Sequence, residues 1–140
     1  MLIPIFILTL VGDDDRRKPL VDFLEANTIP FELWNGVDGR SGLAERYEAM
    51  IDRDAARKAL GRDMGNGEFA CALSHHFIYR EIIARDLAHA LVLEDDAILG
   101  QEFLQFLEHG KKRDVDLLVL DHRRADVFRA GSLHFPSSYD

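Results

Sequence analysis

Ala90-Leu91-Val92-Leu93-Glu94-Asp95-Asp96 passes within seven residues from a wholly apolar run to three adjacent carboxylates. An apolar run without polar alternation suits a parallel strand buried on both faces. Ile3 to Leu10 has the same character and reads as the first strand, Ile29 to Trp34 as the second, and Val115 to Leu120 as the strand after Leu93. Helical spacing fills the intervals. Leu20, Phe23 and Leu24 predict a helix to about Ala26, with Pro19 in its first turn. Leu43, Tyr47, Met50, Ile51 and Ala55 predict an amphipathic helix that Gly61 ends. Asn66 reads as the N-cap of a helix over about Glu68 to Arg85, apolar around most of its circumference and so expected to be central. Phe103, Leu104, Phe106 and Leu107 mark a last helix with Gly110 beyond its end, whereas 131–140 reads as loop or extended chain. Alternating strands and helices predict one α/β domain over 1–140, a mainly parallel sheet flanked by helices. Ligands of such sheets bind at the carboxyl ends of the strands.

Composition sets the outer bounds. The chain has 140 residues, 47% of them hydrophobic, nine Phe and a formal net charge of −8, which suits a globular domain with a real core. The acidic balance argues against nucleic acid as a partner, because phosphate neutralisation needs a basic surface. The apolar N-terminus lacks a positive leader and is too short to span a bilayer, so a cytoplasmic location is expected. The only cysteine is Cys71, which predicts neither a disulfide nor a thiolate zinc site. Its apolar neighbours Phe69, Ala70, Ala72 and Leu73 predict a buried, reduced thiol.

Three packed carboxylates repel one another and are costly to desolvate. A hard divalent cation such as Mn²⁺ or Mg²⁺ removes both penalties and keeps positions for phosphate oxygens, so Glu94, Asp95 and Asp96 form a candidate metal and diphosphate site. The competing reading is that Asp95 and Asp96 cap the next helix in solvent. Arg16, Arg17 and Lys18 sit where a helix begins, against the macrodipole; either a bound diphosphate or Asp13, Asp14 and Asp15 would compensate them. Asp38-Gly39-Arg40 follows the second strand, and Asp38 suits ribose hydroxyls as well as a plain turn. Ser74, His75 and His76 lie in the apolar helix, where successive side chains diverge, so one His at most faces a site and a Ser–His nucleophilic pair is disfavoured. Neither His has another His four residues on, so a two-His zinc motif is absent. Lys111, Lys112, Arg113, Arg123, Arg124 and Arg129 form a locally basic stretch suited to an anionic acceptor, a membrane surface or simple solvation.

Phe6-Ile7-Leu8-Thr9-Leu10 with Arg16-Arg17, Val37-Asp38-Gly39-Arg40, Gly67-Glu68-Phe69-Ala70-Cys71-Ala72-Leu73-Ser74-His75 and Ala90 to Ala97 occur in an order and at separations that resemble the N-terminal half of glycosyltransferase family 25. The resemblance implies a GT-A, Rossmann-like fold and an inverting, metal-assisted transfer, usually of galactose from UDP-galactose to a lipooligosaccharide or other glycan. It implies Asp96, with Asp95, as metal ligands for Mn²⁺ or Mg²⁺. Thr9, Arg16, Arg17, Asp38, Gly39, Arg40, Ser74, His75, Glu94 and Asp95 become the donor-binding candidates. The reaction would sit at the cytoplasmic face of the inner membrane, with peripheral membrane association. Family members are considerably longer, so the expected fold is incomplete at its C-terminus and no catalytic base is named. Two alternatives stand beside the enzyme: a non-catalytic nucleotide-sugar-binding remnant or fragment, and a receiver-like Mg²⁺-binding signalling domain. Oligomeric state is not predicted.

Overall fold

The computed structural model describes residues 3–109 and 116–120 and two short strands at 126–127 and 133–134. The chain divides into two compact units, 1–110 and 111–140. The first is an α/β unit whose elements run β1 (Ile5–Thr9), α1 (Asp14–Ala26), β2 (Glu32–Asn35), α2 (Glu45–Glu48), α3 (Arg53–Leu60), α4 (Asn66–Ala84), β3 (Leu91–Glu94) and α5 (Gln101–His109). The second contains the antiparallel pair β4 (Asp126–Val127) and β5 (Leu133–His134).

The sheet is parallel throughout, in the order β2-β1-β3. All five residues of β1 are buried, which makes it the doubly covered strand. Leu91 and Val92 of β3 keep partial exposure, because β3 pairs on one side only among the described residues. Period-two alternation sorts the core into two layers. Ile5, Ile7 and Leu93 pack with Leu20 and Leu24 of α1 and Phe103 of α5. Phe6 and Leu8 face the other way, onto Ile78 of α4, with Trp34 and Val92 alongside.

Several local expectations are revised. Helix α1 begins at Asp14, so Pro19 lies in its second turn, where the Asp15 carbonyl loses its usual amide donor. The expected helix from Leu43 to Gly61 is two helices, because Asp52 accepts a hydrogen bond from the Ala55 amide at 2.8 Å and starts α3 afresh. Its apolar periodicity is nevertheless real: Leu43, Tyr47 and Ile51 pack on Val37, Ala70 and Leu73. Gly61 ends α3 with φ +70°, as its position predicts. Helix α4 buries one face, Phe69, Ala70, Leu73, Ser74 and Ile78, and leaves Tyr79 and Ile83 exposed, so it covers the sheet rather than being surrounded. Residues 116–120 are not a strand and expose Leu117, Val119 and Leu120. An apolar run becomes a strand only when its backbone finds a partner. Val115, Gly110 and most of 131–140 lie outside the described residues, apart from β5.

The N-cap of α4 is Gly65 rather than Asn66, which is the first residue of the helix, and Glu68 reaches back to the Gly65 amide at 2.7 Å. Arg62 also grips this carboxylate, at 2.7 Å. The Arg62 guanidinium first, and the Gly65 amide second, lower the Glu68 pKa from 4.5 to about 2. A depressed folded value stabilises the fold above the unfolded value and ceases to do so as pH falls through the folded one. Thermal unfolding of Glu68→Gln should therefore fall below wild type at neutral pH, with the gap closing between pH 4.5 and about 2. A gap that stayed constant across that range would contradict this role.

Candidate functional site at the carboxyl edge of the sheet

The chain leaves β1 for β2 on one side, then crosses to β3 on the other, so the switch point of the sheet lies between the carboxyl ends of β1 and β3. Thr9 ends β1 and Asp95 follows β3 there. Thr9 is 2% exposed and Asp95 6%. The Thr9 hydroxyl donates to Asp95 Oδ2 at 2.9 Å, and Arg16 Nε of α1 donates to Asp95 Oδ1 at 2.6 Å. Arg16 Nη2 also donates to Asp96 Oδ2 at 2.7 Å. One guanidinium thus bridges two adjacent carboxylates, the fork geometry that arginine provides and lysine does not. Asp95 foremost, through its hydrogen bond, then the charge of Asp96, raises the Arg16 pKa above its ordinary value. Arg17 completes the group, with Nη1 3.4 Å from Thr9 Oγ1 and its other nitrogen paired with Asp14.

The three carboxylates do not act as one cluster. Strand alternation carries Asp95 to the α1 face, with Thr9, and Glu94 to the α4 face. Glu94 Oε1 lies 3.1 Å from His75 Nε2 and 3.8 Å from Cys71 Sγ. The hydrogen bond from His75 is the main cause of a lowered Glu94 pKa. Partial desolvation by the neighbouring atoms, then the Glu94 charge, raises that of Cys71. Asp96 is more than half exposed and Asp95 is buried against β1; α5 begins only at Gln101, so neither caps it.

A second group gathers after β2. Both oxygens of Asp38 accept from Arg40, whose Nη1 also donates to Asp13 at 2.9 Å. Arg40 lowers the Asp38 pKa by its side chain first and its own amide second, and Arg40 is correspondingly raised. Gly39 is packed so closely on α4 that a Cβ there would stand 2.5 Å from the Asn66 carbonyl oxygen. Ser74 is buried, accepting from the Val37 amide at 2.8 Å and donating to the Ala70 carbonyl at 2.7 Å. Gly39 and Ser74 therefore fix the β2–α4 junction.

Cys71 is exposed, contrary to the expectation of a buried thiol. Neighbours in a helical sequence spread about 100° apart, so apolar flanking residues do not bury the residue between them. His75 faces Glu94 while His76 is exposed beside Phe77, in keeping with one His at most facing a site. The Cys71–His75–Glu94 group was missed in the sequence, although Cys71 and His75 stand four apart, the spacing of one helix face. The basic residues Lys111, Lys112, Arg113, Arg123, Arg124 and Arg129 lie outside the described residues.

A parallel sheet between helices, with buried polar side chains at its switch point, defines an α/β protein of the Rossmann-like class. The model of glycosyltransferase family 25 (LPS biosynthesis protein) matches residues 2–136. Procollagen galactosyltransferase 1 of Danio rerio is 29% identical over 134 residues, 89% of this chain and 22% of that protein. Lipooligosaccharide biosynthesis protein lic2B of Haemophilus influenzae is 26% identical over 102 residues, 73% of this chain and 36% of that protein. Inactive glycosyltransferase 25 family member 3 of Homo sapiens is 28% identical over 131 residues, 87% of this chain and 22% of that protein. The chain belongs to glycosyltransferase family 25, and spans about a fifth to a third of the length of these relatives. Among the described residues, no helix is long and apolar enough to cross a membrane.

Thr9→Val keeps the shape of the side chain but removes the donor to the buried Asp95. It should destabilise the fold by about 1–3 kcal/mol in urea titrations, whereas Thr9→Ser should come close to wild type. Equal stability of Thr9→Val and wild type would mean that the Asp95 contact contributes nothing.

Proposed function

We propose that this chain binds a nucleotide-sugar donor at the β1/β3 switch point and forms the donor half of an inverting hexosyl transfer. The favoured donor is UDP-galactose, and the favoured acceptor a lipooligosaccharide or related glycan at the cytoplasmic face of the inner membrane. The observation that carries the reading is the convergence of Thr9, Arg16, Asp95 and Asp96 from three separate elements on one point. The named activities of the Danio and Haemophilus relatives support it.

The donor set at this point is two carboxylates, which suits the oxygen preference of Mn²⁺ or Mg²⁺. Asp96, exposed and touching Arg16 through one oxygen, is the first choice for direct contact, with Asp95 behind it. When bound, the cation would offset charge on the diphosphate and on the leaving nucleotide. In its absence Arg16 supplies the compensating charge. Its side chain is 55% exposed, so it is free to turn from the carboxylates to a phosphate oxygen. Arg17 lies on the same side, its charge shared with Asp14. Asp38 is the ribose candidate, provided that Arg40 yields one of its oxygens. Inversion also needs a base within reach of the acceptor hydroxyl, and none of these residues is assigned that role.

Binding without turnover is the second reading, favoured by the name of the human relative, an inactive member of the family. The family assignment decides against a receiver-like domain. UDP with Mn²⁺ should raise the melting temperature, since a hundredfold excess over the dissociation constant stabilises by about 2.7 kcal/mol. Asp96→Ala should abolish that shift. No shift with any nucleoside diphosphate would defeat the donor-site reading, while turnover of UDP-galactose would defeat the binding-only one.

A further inference from the structure

We infer that Cys71, His75 and Glu94 form a second metal site, of the borderline-soft Zn²⁺ class, on the α4 face of the sheet. It is separate from the Asp95–Asp96 pair, takes His75 and Glu94 out of the donor-binding candidates, and departs from the expectation that a single cysteine makes no thiolate zinc site. Cys71 and His75 stand at i and i+4 on α4, and Glu94 ends β3 opposite them on the same face. Their ligand atoms all lie within 4.8 Å of one another, with Glu94 Oε1 3.1 Å from His75 Nε2 and 3.8 Å from Cys71 Sγ. Zinc bonds of about 2.0–2.3 Å place neighbouring ligand atoms of a tetrahedron about 3.3–3.8 Å apart. Those two separations fall within or near that range. The sulfur and the imidazole nitrogen, within 4.8 Å, are brought to bonding distance by rotation of a cysteine side chain that is exposed.

The donor chemistry selects the metal. Thiolate and imidazole suit Zn²⁺ and Co²⁺, whereas Mn²⁺ and Mg²⁺ prefer an all-oxygen set. The ligands therefore sort the two faces of the sheet, hard at Asp95 and Asp96, softer at Cys71, His75 and Glu94. The support behind His75 also fits. Its Nδ1 lies 3.3 Å from the Tyr79 hydroxyl, one turn further along α4. Glu94 can only accept, so with no metal bound Nε2–H donates to it and Tyr79 donates to Nδ1. With a metal held by the Nε2 lone pair, the ring proton would reside on Nδ1 and hydrogen-bond to the Tyr79 oxygen, whose own O–H would turn to solvent. The thiol loses its proton to solvent at the same time. Three protein ligands leave the fourth position open. Because Glu94 is half-exposed, that position faces solvent and takes water or an anionic ligand.

The test uses the 140-residue chain stripped of metal and titrated with Co²⁺ as a spectroscopic probe. One equivalent should produce a near-ultraviolet thiolate-to-cobalt charge-transfer band and four-coordinate visible bands, and Zn²⁺ should bleach both. Cys71→Ser should lose the charge-transfer band. Glu94→Gln should weaken Zn²⁺ affinity at least about tenfold, and Tyr79→Phe about tenfold through the ring it orients. Asp96→Ala should leave the spectrum unchanged, so failure here and failure of the donor site are separately visible. A wild-type chain with no charge-transfer band overturns the inference whether or not any variant folds. So does a band that survives in Cys71→Ser or disappears in Asp96→Ala.

Discussion

The buried carboxylate of Asp95 is the constraint on which the carboxyl edge of the sheet depends. At 6% exposure it has given up nearly all of its water, and an uncompensated charge in that position would cost several kcal/mol. Its compensation comes from two directions, the Thr9 hydroxyl and the Arg16 guanidinium. Those contacts fix more than a charge. Thr9 is the last residue of β1 and Arg16 lies in the first turn of α1, so Asp95 ties the exit of one strand and the entry of a helix to the exit of another strand. The orientation of α1 then follows from its core residues Leu20 and Leu24 at one end and from this polar clasp at the other.

Strand geometry explains why three carboxylates in a row do not repel one another into disorder. In extended chain the side chains of Glu94 and Asp95 leave on opposite faces, and each meets its own basic partner, His75 on one side and Arg16 on the other. Asp96, beyond the strand, shares Arg16 from the solvent side. What reads in sequence as one acidic patch is in space two polar groups back to back, with the β3 backbone between them.

The parts of the fold legible in the sequence are those that depend on pattern alone. Continuous apolar runs marked β1 and β3, helical spacing marked α1, α4 and α5, and Gly61 marked a helix end through the one conformation it adopts freely. The parts that were not legible depend on partners far away in the chain. Leu117 to Leu120 has the composition of a strand, but composition does not supply a neighbouring backbone. The break between α2 and α3 rests on Asp52 acting as a cap, a choice that competes with its equally allowed place inside a longer helix. Thr9, Arg16 and Asp95 could be picked out by family pattern. That Gly39 and Ser74 serve packing was visible only once α4 lay against the β2 junction.

Arg16 has an unusual position among the site residues, because it compensates the very carboxylates that a cation would use. With the guanidinium in place, Asp95 and Asp96 are already neutralised in part, and a free divalent ion gains little by displacing it. A diphosphate changes that balance. In the proposed donor complex it would offer Arg16 an anionic partner of its own, so the guanidinium would leave the carboxylates to a cation and neither charge would be left uncompensated. Cation and diphosphate should therefore bind as a coupled pair, each weakly without the other. The coupling originates in a single side chain long enough to reach both partners and exposed enough to move between them.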